Sequence, residues 1–493
     1  SGIFANSGLN KVNFTDGIPS IPNNLFRDAS NISEITIPEG VETIGYSAFK
    51  NATNLTTVNI PDTVTEIGEG AFANCTSLES IHLPSTLRTI NNNAFSNCTQ
   101  IKSIILPEGL TNLNMHAFEN CSNLTYASIP STLKDTNSYW GNGIFNNSGL
   151  TTAVIADGST GIINELFAGA TKLTSVVIPD TVTSIGSNSF NSTSLESINL
   201  PSSLKEIDYA AFNGCTSLKD VNLPEGLTTI DTMAFNGCIA LTDITIPSTL
   251  TTKKGNSYDG VFTNSGLTTA TITDGATYVA PGLFAGATKL ETVNIADTVE
   301  TLDEYVFGGC TSLENVTLPS SLKTIGYRVF NNCTSLSEIN LPEGLTTISA
   351  NAFSNTALTD ITIPSTLVNT YNTPWDNGAF KDTTITSVTI ANGATKIPYG
   401  LLASMANLTS VSIPDTVTEI EDYVFIRDTS LTSLIIPSSV TNMNYDSIFE
   451  SCSGLTEINY GGTIEAFKAS GFRTKSTSQT ITVHCSDGDY EVQ

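Results

Sequence analysis

Histidine, tryptophan and basic side chains are scarce in this chain of 493 residues. It has 3 histidines, 2 tryptophans and 20 lysines and arginines against 47 aspartates and glutamates, so its formal net charge is −27. A surface of this sign repels nucleic acid and anionic membranes, and we expect neither as a partner. The sequence also lacks any run of about 18 apolar residues, which argues against membrane insertion.

Motifs that hold catalytic groups or cofactors are missing as well. The sequence contains no G-x-S-x-G elbow, H-E-x-x-H zinc motif, phosphate-binding loop, dinucleotide fingerprint or EF-hand loop. The histidines, His82, His116 and His484, do not recur at one position of any pattern. We therefore predict no enzymatic activity, no cofactor and no metal site.

What the sequence does contain is a repeat that runs along almost its whole length. A phenylalanine recurs every 22–24 residues, except at three steps of 27 residues, and Leu402 takes its place once. A fixed period of this size is typical of stacked units that bury their apolar faces on one another. The repeat predicts one continuous solenoid of about twenty coils. The phenylalanines are Phe4, Phe26, Phe49, Phe72, Phe95, Phe118, Phe145, Phe167, Phe190, Phe212, Phe235, Phe262, Phe284, Phe307, Phe330, Phe353, Phe380, Phe425 and Phe449.

One coil can be followed from residue 78 to residue 98. In "LESIHLP", Ile81 and Leu83 flank His82, so both lie on one face of a short strand that Pro84 ends. "LRTI" at 87–90 predicts a second short strand. The "AFSNC" that follows at 94–98 predicts a single helical or 3₁₀ turn.

Longer segments repeat too. "NSGLTTAVIADG" (147–158) returns as "NSGLTTATITDG" (264–275), and the 27-residue steps mark joints between blocks of coils.

The pattern L-x-x-I-x-L-P-x-x-L-x-x-I followed by A-F-x-x-C-x-x-L resembles the BspA-like leucine-rich repeat family, found on surface proteins of host-associated bacteria and some protozoa. The resemblance implies an α/β leucine-rich-repeat right-handed solenoid. Because the asparagine of the general leucine-rich consensus is replaced here by "LPSTL" or "LPEGL", we expect it to be β-rich and helix-poor.

The chain divides into a long array and a cap. We assign residues 1–460 to the solenoid, with blocks of about 1–142, 143–259, 260–377 and 378–460, and residues 461–493 to a C-terminal cap. "GGTIEAFKASGF" predicts a short helix with Thr463 as its N-cap, and "TITVHCSDGDYEV" predicts a hairpin around Ser486–Asp489. The chain begins inside a repeat, and we expect it to be a trimmed piece of a longer protein.

Regularly spaced cysteines could indicate metal binding, disulfides, redox chemistry or packing. Other coils carry Ala, Ser or Thr in the same slot, for example Ala52, Ser148 and Thr383, so the slot selects small size and favours buried packing. Disulfides between neighbouring coils are the rival interpretation, because the coil spacing falls within reach of a bridge. Cys485 lies outside the array. The slot holds Cys75, Cys98, Cys121, Cys215, Cys238, Cys310, Cys333 and Cys452.

Candidate ligand-binding side chains fall into two groups. The outward strand face is mostly Asn, Thr and Ser, with Tyr126 as its aromatic exception. The joints between blocks concentrate the other aromatics, either as a series of binding loops or as plugs of a widened core. We predict that these rings matter more for binding than the strand face does. They are Tyr139, Trp140, Tyr258, Tyr371, Trp375 and Tyr445.

The resemblance implies a non-enzymatic cell-surface or secreted protein that adheres to host or matrix protein or to other cells. The expected partner is an extracellular protein or glycan, and we expect the chain to be a monomer outside the cell or on its surface. One alternative is a structural spacer that presents another domain, and another is a polysaccharide-binding accessory module.

Overall fold

Two short strands and a series of turns make up most coils of the chain. In the computed structural model, residues 2–14, 17–134, 143–371, 378–443, 445, 447–472 and 480–492 are described, except for the side chain of Tyr371. They form a parallel β-solenoid of about 19 turns that is nearly free of helix. The predicted β-rich, helix-poor repeat fold is therefore confirmed.

The solenoid comprises two compact units, Ser1–Leu241 and Thr242–Gln493. In unit 1 the first strands of the coils form what we call the first-strand column, and the second strands form the second-strand column. The first-strand column contains β2 (Glu34–Thr36), β4 (Thr57–Asn59), β6 (Ser80–Ile81), β8 (Ser103–Ile105), β10 (Tyr126–Ile129), β11 (Thr152–Ile155), β13 (Ser175–Val177), β15 (Ser197–Ile198) and β17 (Asp220–Val221). The second-strand column contains β1 (Ser20–Ile21), β3 (Thr43–Ile44), β5 (Glu66–Ile67), β7 (Thr89–Ile90), β9 (Asn112–Leu113), β12 (Gly161–Ile162), β14 (Ser184–Ile185), β16 (Glu206–Ile207) and β18 (Thr229–Ile230).

Unit 2 repeats the two columns and adds a terminal hairpin. Its first-strand column contains β19 (Asp243–Ile246), β21 (Thr269–Ile272), β23 (Thr292–Ile295), β25 (Asn315–Val316), β28 (Asp360–Ile363), β30 (Ser387–Ile390), β32 (Ser410–Ser412), β34 (Ser433–Ile436) and β35 (Glu457–Tyr460). Its second-strand column contains β20 (Thr252–Lys253), β22 (Tyr278–Val279), β24 (Thr301–Leu302), β26 (Thr324–Ile325), β27 (Thr347–Ser349), β29 (Asn369–Tyr371), β31 (Lys396–Ile397) and β33 (Glu419–Ile420). The cap contains α1 (Ile464–Ala469), β36 (Ile481–Cys485) and β37 (Gly488–Val492).

Parallel pairing links equivalent strands of successive coils. In unit 1 the sheets are β2-β4-β6, β8-β10-β11-β13 and β15-β17 in the first column, and β1-β3-β5-β7-β9 and β12-β14-β16-β18 in the second. In unit 2 they are β19-β21-β23-β25, β28-β30-β32 and β34-β35-β36-β37 in the first column, and β22-β24-β26-β27-β29 and β31-β33 in the second. The strands are short because a proline follows the first of them in most coils, and proline cannot donate to a ladder.

The segment around each phenylalanine folds as successive turns, so the prediction of a helical or 3₁₀ turn there is wrong. Asn93 and Asn97 both have positive φ, 57° and 60°, on either side of Phe95. This conformation turns alternate N–H groups toward the next coil, where those of Asn93, Phe95 and Asn97 donate to backbone carbonyls at 3.0, 2.8 and 2.8 Å. A helix would direct these groups along its own axis instead. Bonding to the next coil therefore overrides the local preference for a helical turn.

Stacked phenylalanine rings fill the interior of each unit. From Phe49 to Phe72 the ring centroids are 5.1 Å apart, and from Phe212 to Phe235 they are 5.0 Å apart, with interplanar angles of 6° and 5°. The aliphatic side chains that alternate inward along both strand columns surround this stack. Each coil therefore buries its apolar face mainly on its neighbours, as the period predicted.

The cap follows the last coil of unit 2. α1 begins after Thr463, whose Oγ1 accepts the N–H of Ala466 at 3.2 Å, so the predicted N-cap is present. β36 pairs in parallel with β35, and β37 returns antiparallel to β36, as the predicted hairpin requires. No helix in the described part of the chain is long and apolar enough to cross a membrane. The division into sequence blocks stays a prediction.

Candidate ligand-binding surface

One joint loop, residues 251–260, is described in full and holds an aromatic ring in solvent. Lys253 Nζ donates to the Asn256 carbonyl at 2.5 Å. Asn256 in turn accepts the N–H of Asp259 at 2.8 Å through Oδ1 and donates to its carboxylate at 2.7 Å through Nδ2. Tyr258, inside this turn, is 64% exposed. Hydrogen bonds within the loop thus hold Tyr258 in solvent, and its ring is not part of the core.

The other predicted rings divide into two groups. Tyr445 is half-buried and its hydroxyl donates to Glu419 Oε1 at 2.9 Å. Burial, and then the hydrogen bond to Glu419, raises the pKa of Tyr445 to about 12. The same hydrogen bond holds the turn of Tyr445 to the preceding coil. Tyr371 ends β29, but its side chain lies outside the described residues, as do Tyr139, Trp140 and Trp375. A binding role for these rings stays a prediction.

The strand face of unit 1 carries an exposed apolar patch. The register of the sheet β8-β10-β11-β13 places Ile105, Ser128, Val154 and Val177 in one row across neighbouring strands. Ile105 is 69% exposed and Val177 is 54% exposed, while Tyr126, on the adjacent row, is 36% exposed. We call Ile105, Tyr126, Val154 and Val177 the strand-face patch.

The position of the strand-face patch follows from strand alternation. On β8, Ile104 is buried and its neighbours Ser103 and Ile105 face outward, because successive side chains point to opposite faces. Strands about 4.8 Å apart make the row of four residues about 14 Å long. Isolated exposed apolar residues are ordinary, whereas several together on one face mark an interaction surface. The face is therefore less uniform than its many Asn and Thr residues suggest.

Among the described residues of unit 2, the strand face has one comparable residue. Ile435 on β34 is 69% exposed, and the register places it beside Asn459 on β35 and His484 on β36. His484 Nδ1 lies 2.8 Å from Asp489 Oδ1, so its ring is already engaged within the cap. Ile435 therefore has no apolar residue beside it in its row, whereas Val154 and Val177 of the unit 1 patch are adjacent.

Sequence reasoning missed a cluster of tyrosines just before the phenylalanine turns of unit 2. The guanidinium of Arg328 lies 5.7 Å from the ring centroid of Tyr305 and 5.0 Å from that of Tyr327, and Arg328 Nη1 donates to the Tyr305 hydroxyl at 3.0 Å. Tyr399 and Tyr423 meet at 5.3 Å in a later coil. The signal was present as "DEYVF" (303–307) and "EDYVF" (421–425), which occupy equivalent positions. These contacts stabilise the turns from within the chain.

The array cysteines are buried and bonded to the backbone, which confirms the packing interpretation of their positions. Each thiol donates to the carbonyl of the phenylalanine in the preceding coil, as Cys98 does to Phe72 at 3.2 Å. Burial raises the pKa of Cys215 to about 11 and that of Cys310 to about 12. A thiol held protonated near neutral pH is neither a nucleophile nor a metal ligand. Within the described residues, no three His, Cys, Asp or Glu side chains group as a metal site would require.

Family comparison accounts for almost the entire chain. The model of the BspA type leucine-rich repeat region matches in six copies, at residues 1–76, 43–140, 65–163, 138–261, 256–375 and 373–487. The chain belongs to this family. The BspA-type repeat thus covers both compact units and reaches into the cap.

Several solved structures are similar to this BspA-type chain. A leucine-rich repeat protein from Bacteroides ovatus ATCC 8483 shares 22% identity over 94% of this chain and 89% of that one, with a TM-score of 0.43. A leucine-rich cell surface protein from Faecalibacterium prausnitzii A2-165 shares 21% identity over 90% and 91%, with a TM-score of 0.29. The pneumococcal vaccine antigen PcpA shares 18% identity over 91% and 89%, with a TM-score of 0.36. Among curated proteins, none matches the chain.

Proposed function

We propose that this BspA-type repeat protein is a non-enzymatic adhesion protein of the cell surface or the extracellular space, and that it binds an extracellular protein. The observation that carries the proposal is the strand-face patch, where Ile105 and Val177, on the two outer strands of one four-stranded sheet, are more than half exposed and Tyr126 lies on a strand between them. Branched aliphatic side chains around a tyrosine supply apolar contact area, and aromatic residues are favoured at protein interfaces.

Two further features support a protein partner. The patch is rimmed by small polar residues, for example Ser103, Thr152 and Ser175, which hydrogen-bond without steric obstruction. The net charge of −27 favours partners that present basic surfaces and keeps the chain soluble at high density. A spacer would need no apolar residues in solvent, so the patch favours binding over that alternative.

The test replaces Ile105 and Val177 together by threonine, the residue that sister coils carry at this position, as at Thr36 and Thr245. Binding of the wild-type chain is first measured on an array of purified matrix and serum proteins, with a glycan array in parallel. The double variant should bind its protein ligand roughly tenfold more weakly, because the apolar contact is lost. Its thermal midpoint should stay within about a degree, because threonine suits an exposed strand position.

Ile435→Thr is the matched control, since it removes an equally exposed isoleucine from unit 2 and should leave the affinity unchanged. Tyr258→Ala tests the displayed joint ring in the same assay. If that variant alone weakens binding, the joint loops carry the function and the strand-face assignment is wrong. If the wild-type chain binds no protein on the array, the spacer alternative replaces the proposal.

A further inference from the structure

The first-strand column of unit 2 is interrupted after β25 and again after β32, and at the first of these breaks a whole coil lacks its strand. Residues 337–341 are the position where a strand should lie between β25 and β28, yet they pair with neither. Within the described residues, none of their backbone N–H or carbonyl groups bonds to another backbone group. A groove of about 600 Å³ separates them from residues 359–362. We call this groove the slot.

The opening is local, because the coil is bonded to its neighbour on both sides of the slot. At one end, the Ala357 N–H donates to the Leu336 carbonyl at 3.0 Å. At the other, the N–H and Oγ of Ser365 donate to the two carboxylate oxygens of Glu343 at 3.2 and 2.9 Å. The second-strand pairing of β26, β27 and β29 continues past it. The slot is thus closed by hydrogen bonds at both ends. It is about 16 Å long, because it spans five extended residues at about 3.3 Å each.

Residues 337–341 are competent to form a strand. "SLSEINLPEGLTTI" (335–348) nearly repeats "SLKDVNLPEGLTTI" (217–230), and in that earlier copy Asp220–Val221 forms β17 and pairs with β15. The inward residues Ile339 and Leu341 are half-buried, whereas Ile361 and Ile363 of the next coil are buried. The segment therefore retains pairing capacity that its own chain leaves unused.

The slot presents unpaired backbone carbonyls and N–H groups together with negative charge. Thr386 and Ala391 of the following coil donate to the carbonyls of Thr359 and Ile363. Because backbone direction alternates along a strand, the groups of Asp360 and Thr362 point the other way, into the slot. The exposed carboxylates of Glu338 and Asp360 lie at its opposite sides. Asp360 Oδ2 accepts from Thr359 Oγ1 at 3.0 Å and keeps further acceptor capacity. Backbone carbonyls and carboxylates are acceptors that a guanidinium, with five fixed donors, matches well.

We propose that the slot recognises an extended, arginine-bearing segment of a partner protein. The arginine side chain enters the slot toward the carbonyls of 337–341 and the carboxylates of Glu338 and Asp360. The backbone of the partner lies across the mouth, where the remaining N–H groups of 337–341 bond its carbonyls. This site is independent of the strand-face patch, which belongs to unit 1.

The experiment uses the whole chain and a fluorescein-labelled pentapeptide, Gly-Thr-Arg-Thr-Gly, with a citrulline peptide as its neutral isostere. Fluorescence anisotropy should give saturable binding of the arginine peptide below about 1 mM and at least roughly tenfold weaker binding of the citrulline peptide. The double variant E338Q/D360N should bind the arginine peptide roughly tenfold more weakly than the wild-type chain does. Glu457→Gln, on a strand paired on both sides, should bind like wild type. The I105T/V177T variant should also bind normally, which separates this site from the proposed adhesive function.

Hydrogen exchange shows where on the chain the arginine peptide binds. In the absence of peptide, the amides of 337–341 should exchange faster than those of 219–223, their paired counterpart in unit 1, and the arginine peptide should slow them. Equal protection of the two segments in the peptide-free chain would show that the slot is closed and would overturn the proposal. Three other results would overturn the proposal as well. The citrulline peptide could bind as tightly as the arginine peptide, or Glu457→Gln could weaken binding as much as E338Q/D360N does. The arginine peptide could also show no binding up to about 1 mM.

Discussion

At the residue scale, the position three residues after each phenylalanine selects a small buried side chain, with one exception. Asp428 occupies this slot after Phe425 and is completely buried. Its Oδ1 accepts the Met405 N–H at 2.8 Å, while Oδ2 has no hydrogen-bond partner among the described residues. Burial raises the pKa of Asp428 well above its usual value. A carboxyl group in this position is held in its neutral form at a cost to stability.

Asp428→Cys, which restores the commonest residue of the slot, should stabilise the chain in a pH-dependent way. Because the folded-state pKa is raised, the contribution of Asp428 to stability is intact below its unfolded pKa of about 3.9 and is lost as pH rises toward the folded pKa. Urea unfolding should show the smallest difference near pH 4. As the pH rises above the unfolded pKa, the advantage of the variant should grow by about 1.4 kcal/mol per pH unit until the folded pKa is reached.

Cys310→Ala is the control for this comparison, since it changes the same slot without a titrating carboxyl and should give a pH-independent effect. A variant Asp428→Cys that is less stable than wild type at every pH would show that the bond to Met405 outweighs the burial of the carboxyl.

Single residues also show where sequence reasoning fails. The small-residue slot was predictable because Cys, Ala and Ser exchange there from coil to coil. The positive φ two residues before most of the phenylalanines was not, because Met233, Tyr305 and Arg328 adopt it with φ of 59°, 57° and 56°. None of these residues favours that conformation by itself. Bonds from the backbone to the next coil impose it, and those bonds cannot be inferred from local propensity.

At the scale of elements, closely stacked phenylalanine rings form a large part of the buried core. Phe212 lies between Phe190 and Phe235, with centroids 5.1 and 5.0 Å away and nearly parallel rings. It is fully buried, as is Leu402 at the equivalent position of a later coil. The core therefore accepts an aliphatic side chain in the stack, provided that it fills the volume.

Phe212→Ala should lower the free energy of unfolding by roughly 3–5 kcal/mol, because it removes a ring from a close-packed stack and leaves a cavity. Phe212→Leu should cost clearly less, since leucine already occupies this position at Leu402. Chemical denaturation of both variants checks the difference. Similar losses for leucine and alanine would mean that ring stacking, more than filled volume, stabilises the coil.

The elements that repeat were predictable, and the interruption was not. Paired strands, the N-cap at Thr463 and the hairpin around Ser486–Asp489 follow from alternation, capping and turn chemistry. The open coil at 337–341 nearly copies the sequence of a paired coil, so no local pattern distinguishes the two. Its opening depends on how the neighbouring coils stack.

At the scale of the whole molecule, uncompensated negative charge is the main electrostatic feature. The chain carries 47 acidic and 20 basic side chains, and most of the ion pairs in its described part are exposed or half-buried. Such pairs contribute little individually, so repulsion among the remaining carboxylates opposes the folded state.

Sodium chloride should therefore raise the thermal midpoint. If screening adds about 1 kcal/mol to the free energy of unfolding, the midpoint of a unit of this size should rise by roughly 2–4 °C. Raising the salt from about 10 mM to about 1 M shortens the screening length from roughly 30 Å to roughly 3 Å. Differential scanning fluorimetry measures the shift. A variant in which four exposed turn aspartates become asparagine should respond less. These are Asp62, Asp180, Asp297 and Asp415. An unchanged midpoint in the wild-type chain would show that its charges are too dispersed to matter.

The bonded thiols of the core also make the chain a reporter of its own local opening. A buried thiol reacts with an alkylating reagent only when its coil opens, so each cysteine registers the free energy of opening at its own place. Cys333 lies four residues before the slot, and Cys215 lies at the same place before the paired copy of that segment. Comparing the alkylation rates of these two thiols measures, in the native protein and without an introduced label, how much looser the open coil is.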